Sequence, residues 1–185
     1  VAHYTPSSFP LIPLINKNTS KILKDSWQQL VKKNVIENGI STSGITVFYN
    51  EFYERLRILD TSGRFEAVLT RNIEGMSMLQ AKGAILIRMV KYVISISGDS
   101  QETQSQMQAL GRLHSSKDIR PWQYSIFVQT LLLTISSRLG TGATTDVMEA
   151  WVNMFAFVMK GMLPSAIEHQ VVETEINVNV TSAKG

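Results

Sequence analysis

At 185 residues the chain is long enough for one domain with tails and too short for two. Apolar residues at 44% against 18% charged exclude disorder for the bulk, and a net charge of +3 without a dense basic block excludes a dedicated nucleic-acid binder. Cysteine is absent, which excludes disulfide scaffolds, thiolate zinc sites, iron–sulfur clusters and cysteine nucleophiles together.

The opening segment, residues 1–18, carries Pro6, Pro10 and Pro13 and reads as an extended arm with Phe9, Leu11, Ile12 and Leu14 laid on the domain surface. It begins without Met, so a longer or lipidated native terminus is compatible with the sequence. From 19 to 164 the apolar period is helical nearly throughout. A first helix capped by Thr19 or Ser20 places Leu23, Trp27, Leu30 and Val31 on one stripe and ends near Asn38-Gly39. A second runs from Ser43 to Leu56 with Phe48 and Phe52 on one face. After an irregular connection over 57–70, a long apolar face follows: Ile73, Met76, Leu79, Gly83, Leu86, Ile87, Val90 and Ile94, closed by Gly98. Arg88 and Lys91 interrupt its apolar run, which is too short to span a bilayer.

Polar residues 99–106 then lead to a short helix with Met107, Leu110 and His114 on one stripe. Pro121 opens another helix with Tyr124, Phe127, Val128, Leu131 and Leu132, broken by Gly140 and Gly142. Thr144 or Thr145 caps the last, whose buried face is Val147, Trp151, Phe155, Val158 and Met162. Beyond Pro164, residues 165–185 form a flexible or partner-bound tail, alternating over Val171 to Val178 with strand propensity and no strand to pair with. The fold class is all-α, with about six to eight helices and no strand signal in the body.

Three histidines are present, His3 and His169 near the ends and His114 within the body. A nucleophile triad lacks its turn-mounted nucleophile and orienting carboxylate, and no phosphate-cradling glycine loop occurs. What is left is a histidine on an apolar stripe, for which core packing and metal ligation are both open.

The words around it narrow the choice. Leu110-Gly111-Arg112-Leu113-His114, followed by Ile119, Tyr124 and Phe127, resembles the proximal segment of a globin. Leu23-Lys24-Asp25-Ser26-Trp27 is similar to the first helix of that family, Val47-Phe48-Tyr49-Asn50-Glu51-Phe52-Tyr53 to the second, and Glu149-Ala150-Trp151 with Phe155 to the last. The resemblance spans 19–164 in the family's order and spacing, and is to single-domain globins of non-vertebrate, bacterial or neuroglobin-like type. It implies a globin fold around haem b, with His114 as proximal ligand of the iron. It also implies Phe48 and Phe52 on the distal side, Phe65 wedged against the haem from the interhelical corner, and Leu86 over the ligand site. Leu110, Ile119, Tyr124, Phe127, Phe155 and Val158 would line the proximal side and floor, and small Gly83 would stand where the porphyrin passes close. The family's corner proline is replaced here by Leu56 or Leu59.

The same resemblance puts Lys82 where a distal His or Gln usually stands. A register with Gln80 there would turn Arg88 inward and Leu79 and Leu86 away, so periodicity favours Lys82. Three outcomes are open for its amine: ligation of the iron in neutral form, a hydrogen bond to a bound ligand, or a stem along the pocket mouth with the charge snorkelling to solvent. Met76, Met78 and Met89 fit packing better than ligation.

The function expected is reversible binding of a diatomic gas, O2, NO or CO, for sensing, scavenging or redox chemistry. The alternatives are an oxygen carrier or a haem-free regulatory domain of the same fold. Dioxygenase, nitrite reductase or peroxidase turnover would require an external electron source, since the chain has no flavin or nicotinamide module. The terminal arms are the expected contacts for a reductase or signalling partner, and absent cysteines favour a cytoplasmic chain over a secreted one.

Overall fold

A computed structural model describes the backbone of residues 4–32, 34–37, 40–63, 78–96 and 100–182, and the side chains of these except 35, 37, 40, 78–82, 85 and 169–182. Among the described residues there are six α-helices: α1 (Lys17–Lys32), α2 (Gly44–Leu59), α3 (Met78–Ser95), α4 (Gln101–Ser116), α5 (Pro121–Leu139) and α6 (Thr145–Ser182). The predicted all-α class holds. One short antiparallel hairpin, β1 (Val35–Glu37) and β2 (Ile40–Thr42), joins α1 to α2, and a 3-10 turn over Gly140–Gly142 joins α5 to α6.

The hairpin corrects the expected end of the first helix. α1 stops at Lys32, and Val35 pairs with Thr42, Ile36 with Ser41 and Glu37 with Ile40. β-branched residues on both sides of Asn38-Gly39 favour strands, and that dipeptide is the strongest sequence signal for a two-residue hairpin connection. The start of α1 also differs, because Asn16 rather than Thr19 or Ser20 is the cap. Its Oδ1 accepts from the Thr19 amide at 2.9 Å, and the Thr19 hydroxyl accepts from the Asn16 amide at 3.3 Å.

α2 begins as expected, with Ser43 Oγ accepting from the Thr46 amide at 3.3 Å. α4 is longer than expected. Ser100 caps it by accepting from the Thr103 amide at 3.1 Å, so the polar stretch read as a connection is the helix's own exposed first turns. α5 starts at Pro121, where the missing N–H costs nothing, and Thr144 caps α6.

The core is one continuous apolar cluster drawn from all six helices. Leu23, Trp27 and Leu30 of α1 are buried, and the Trp27 ring meets Phe48 of α2 edge to face at 5.3 Å. Trp151 of α6 is fully buried, stacks on Phe155 at 5.6 Å and donates from Nε1 to Ser26 Oγ at 3.1 Å. α4 and α6 cross at very short range. A Cβ on Gly111 would collide with the Met162 carbonyl oxygen, and one on Gly161 would stand 2.7 Å from Met107 Sδ. A polar seam closes α2 on α5, where Glu51 pairs with both Arg55 and Arg138 at 3.2 Å and Arg55 reaches Ser137 Oγ at 2.9 Å.

Residues 165–182 continue α6 rather than forming the alternating extended segment expected. Pro164 removes one helical N–H, yet Met162, Leu163, Ser165 and Ala166 are buried on either side of it, and that packing carries the helix through. The stretch Thr145–Glu168 is long and apolar enough to cross a membrane, with mean hydropathy 1.2, but its most apolar window is 67% buried within the fold. It reads as a core helix.

Candidate functional site

His114 lies in the last turn of α4, half-buried. Its Nδ1 is 2.8 Å from the carbonyl oxygen of Leu110 one turn earlier. A carbonyl only accepts, so Nδ1 carries the proton and Nε2 keeps the ring's lone pair. Burial pushes the imidazole's pKa below its ordinary value, and the bond to Leu110 opposes this only in part. The neutral ring is the form that ligates a metal.

The backbone fixes the ring's turn from its other end. Asp118 adopts a left-handed conformation (φ 60°), its amide donates to the Ser115 carbonyl at 2.9 Å, and the Ile119 amide donates to the His114 carbonyl at 3.0 Å. This pair of bonds is a Schellman ending, which folds Ile119 back toward the helix it leaves. The chain re-enters a helix two residues later, where the Arg120 amide donates to Oε1 of the buried Gln123 at 2.6 Å.

Tyr124 follows on α5, its ring centroid 5.8 Å from that of His114. Its hydroxyl is buried with no hydrogen-bond partner among the described residues, and burial pushes the phenol pKa well above the usual tyrosine range. Phe127, one turn on, meets Phe52 of α2 at 4.9 Å. Phe48, Phe52, Leu86, Phe155 and Val158 are buried, and Leu110, Ile119 and Phe127 pack against the same core. The structure therefore gathers these sequence-predicted positions onto one apolar body with His114 at its edge.

Gly83, expected where the porphyrin passes close, packs against the neighbouring α2. Its α-carbon faces Tyr49 of α2, and a Cβ there would stand 3.0 Å from the ring. It is the point where α2 and α3 approach, a role that no local pattern encodes. Phe65 lies outside the described residues. Lys82 is within α3, but its side chain, like those of Gln80, Leu79 and His169, is outside them, as are His3, Ile73, Met76 and Gly98.

The donor set and its surroundings fit haem. An imidazole held by Nδ1 presents Nε2 to a metal, a carbonyl behind it sets the tautomer, and the neighbouring walls are apolar and aromatic. A buried phenol without a partner among the described residues stands beside it. The class these features define is an α-helical domain built to present one histidine.

The family model for Globin matches residues 60–162, more than half of the chain. The chain belongs to the globin family. It is 20% identical over 148 residues to neuroglobin of Tetraodon nigroviridis and 22% identical over 151 residues to neuroglobin of Danio rerio, in each case covering 80% of this chain and 90% of the relative. Among solved structures it is similar to the flavohemoglobin of Malassezia yamatoensis with bound FAD and heme, at TM-score 0.56 and 12% identity over 83% of this chain. The chain spans 37% of that protein's length, and the likeness is one of fold.

Proposed function

We propose that the chain is a haem globin that holds haem b through Nε2 of His114 and reversibly binds a diatomic gas, O2, NO or CO, in sensing, scavenging or redox chemistry. The observation that carries this is the Nδ1 bond from His114 to the Leu110 carbonyl, which orients the ring and reserves its other nitrogen. When bound, haem supplies an iron that takes gases which no amino-acid side chain can ligate. The protein's part is to hold the imidazole neutral, to exclude water with Phe48, Phe52 and Leu86, and to close the proximal side with Ile119, Tyr124 and Phe127. Lys82, at the distal position by resemblance, sets ligand chemistry in one of three ways: as a sixth ligand, as a hydrogen-bond donor to the gas, or as a charge directed to solvent.

The test is optical. Protein supplied with haem should show a Soret band, and His114→Ala should abolish or shift it; an unchanged spectrum in the variant would overturn His114 as ligand. No Soret band in the wild type would favour the haem-free regulatory alternative. Ferrous spectra of Lys82→Ala across pH separate the lysine outcomes, since a low-spin band lost in the variant means ligation. Rates of O2 release and NO consumption, with and without an external reductase, then divide carrier, sensor and enzyme.

A further inference from the structure

Beside the N-terminal half of α4 a cavity of about 450 Å³ opens between that helix, α6 and the N-terminal arm. It falls within the roughly 300–1,000 Å³ typical of small-molecule sites. Its apolar walls include Ile12 and Leu14 of the arm, Met107 of α4 and Phe157 of α6, Gln104 and Gln108 of α4 give it a polar side, and Gly161 keeps Met107 seated at one end. Lys160 is the one charged residue in the lining, and no acid faces it there.

The arm is pinned in an unusual way. The Leu14 amide donates to Asn153 Oδ1 at 2.8 Å, and Lys160 Nζ donates to the Leu11 carbonyl at 3.3 Å. These bonds hold the arm by its backbone and leave much of its aliphatic surface in water: Leu11 is 87% exposed, Ile12 75% and Leu14 70%, the last two at the cavity's mouth. Ile12 and Leu14, two large aliphatic side chains held largely in water at the mouth of this cavity, gain burial when something apolar covers them. The single exposed cation at the same rim adds a sign to that occupant.

We infer that this cavity binds a fatty carboxylate, its acyl chain lying against Ile12, Leu14, Met107 and Phe157 and its carboxylate on Lys160 Nζ. The long lysine stem reaches the headgroup without leaving the cavity wall, and its ammonium exchanges a carbonyl for a carboxylate, the stronger acceptor. Met107 lies two turns from His114 on α4, so the site is separate from the one proposed for haem and stands or falls independently of it.

The protein as purified is titrated by calorimetry with laurate below its micelle concentration. Dodecyltrimethylammonium serves as a cation of the same chain, and phosphatidylcholine vesicles with and without phosphatidylserine test for a membrane surface. Saturable one-to-one laurate binding is expected, much tighter than the cation's. Lys160→Glu should weaken it about ten-fold or more, and Ile12→Asp should weaken it too; both positions are exposed, so the fold is retained. Absence of saturation, equal affinity for the cation, indifference to both substitutions, or binding to vesicles without binding to free laurate would each overturn the inference. The Soret spectrum is recorded in parallel, and its presence or absence leaves these outcomes unchanged.

Discussion

The α4–α5 side of the molecule and the α2–α3 side are organised by different forces. Around His114 the chain is held by directional bonds: Nδ1 to the Leu110 carbonyl, the Asp118 and Ile119 amides to the end of α4, and the Arg120 amide to Gln123. Across the core, Phe48, Phe52 and Leu86 are held by apolar packing, an edge contact with Trp27, and the close approach of Gly83 to Tyr49. Directional bonds fix one ring's orientation to a fraction of an ångström, as a metal ligand requires. Apolar packing fixes volume and dryness and leaves orientation freer.

The largest test of that contrast is at the α4–α6 crossing. Gly111→Ala puts a methyl group into the Met162 backbone carbonyl, which cannot swing aside, and urea unfolding of the haem-free protein should show a loss of about 1–3 kcal/mol. Next is Gln123→Ala, which leaves the Arg120 amide without its side-chain acceptor; a loss of about 1–2 kcal/mol is expected in the same assay. Tyr124→Phe should hold stability level or raise it by up to about 1 kcal/mol, because the hydroxyl it removes is buried with no partner among the described residues. A marked loss would mean that the phenol has a structural partner. The smallest effect is expected on the opposite side: in Gly83→Ala the Tyr49 ring can move a few tenths of an ångström, and the gain in helix propensity, about 1 kcal/mol, offsets the crowding.

Alkaline unfolding compares the two sides in another way. Burial raises the phenol pKa values of Tyr53 on α2 and Tyr124 on α5 above the ordinary 10.0. The unfolded chain therefore loses these protons first. Stability is fully present below pH 10 and falls as pH rises from there toward the folded-state values. Tyr53→Phe and Tyr124→Phe should each flatten the fall, and a slope unchanged in both would show that neither phenol is shielded in solution.

Much of this was legible in the chain. Ser43, Pro121 and Thr144 mark helix starts because capping is local chemistry. The i, i+3 and i+4 stripes place Leu23, Trp27, Leu86, Trp151 and Phe155 inside, and the burial of each follows. Other features depended on neighbours distant in sequence. Gly111 reads as one more word of the motif before His114, and only the crossing of α6 shows why a side chain is excluded there. The polar first turns of α4 carry no apolar stripe and so look like a loop, although Ser100 three residues before Thr103 offered a capping pattern. The hairpin was written in Asn38-Gly39, overshadowed by the helical period on both sides. The Leu110 bond that sets the His114 tautomer follows from helix geometry, four residues apart, once the ring is known to face inward.

The Trp151 to Ser26 hydrogen bond joins residues 125 apart in sequence, and the arm reaches still further, from Leu14 to Asn153 and from Leu11 to Lys160. The last helix thus ties down the first helix and the arm across long separations in sequence, while Phe48 of α2 packs on Trp27 from another side. During synthesis α1 and the arm emerge early, Trp27 gains Phe48 once α2 follows, and the side of α1 that meets Trp151 waits until the ribosome has released most of α6. Closure of this fold is a late event with a high loop-entropy cost, and a chain cut short within α6 would free both of its ends at once.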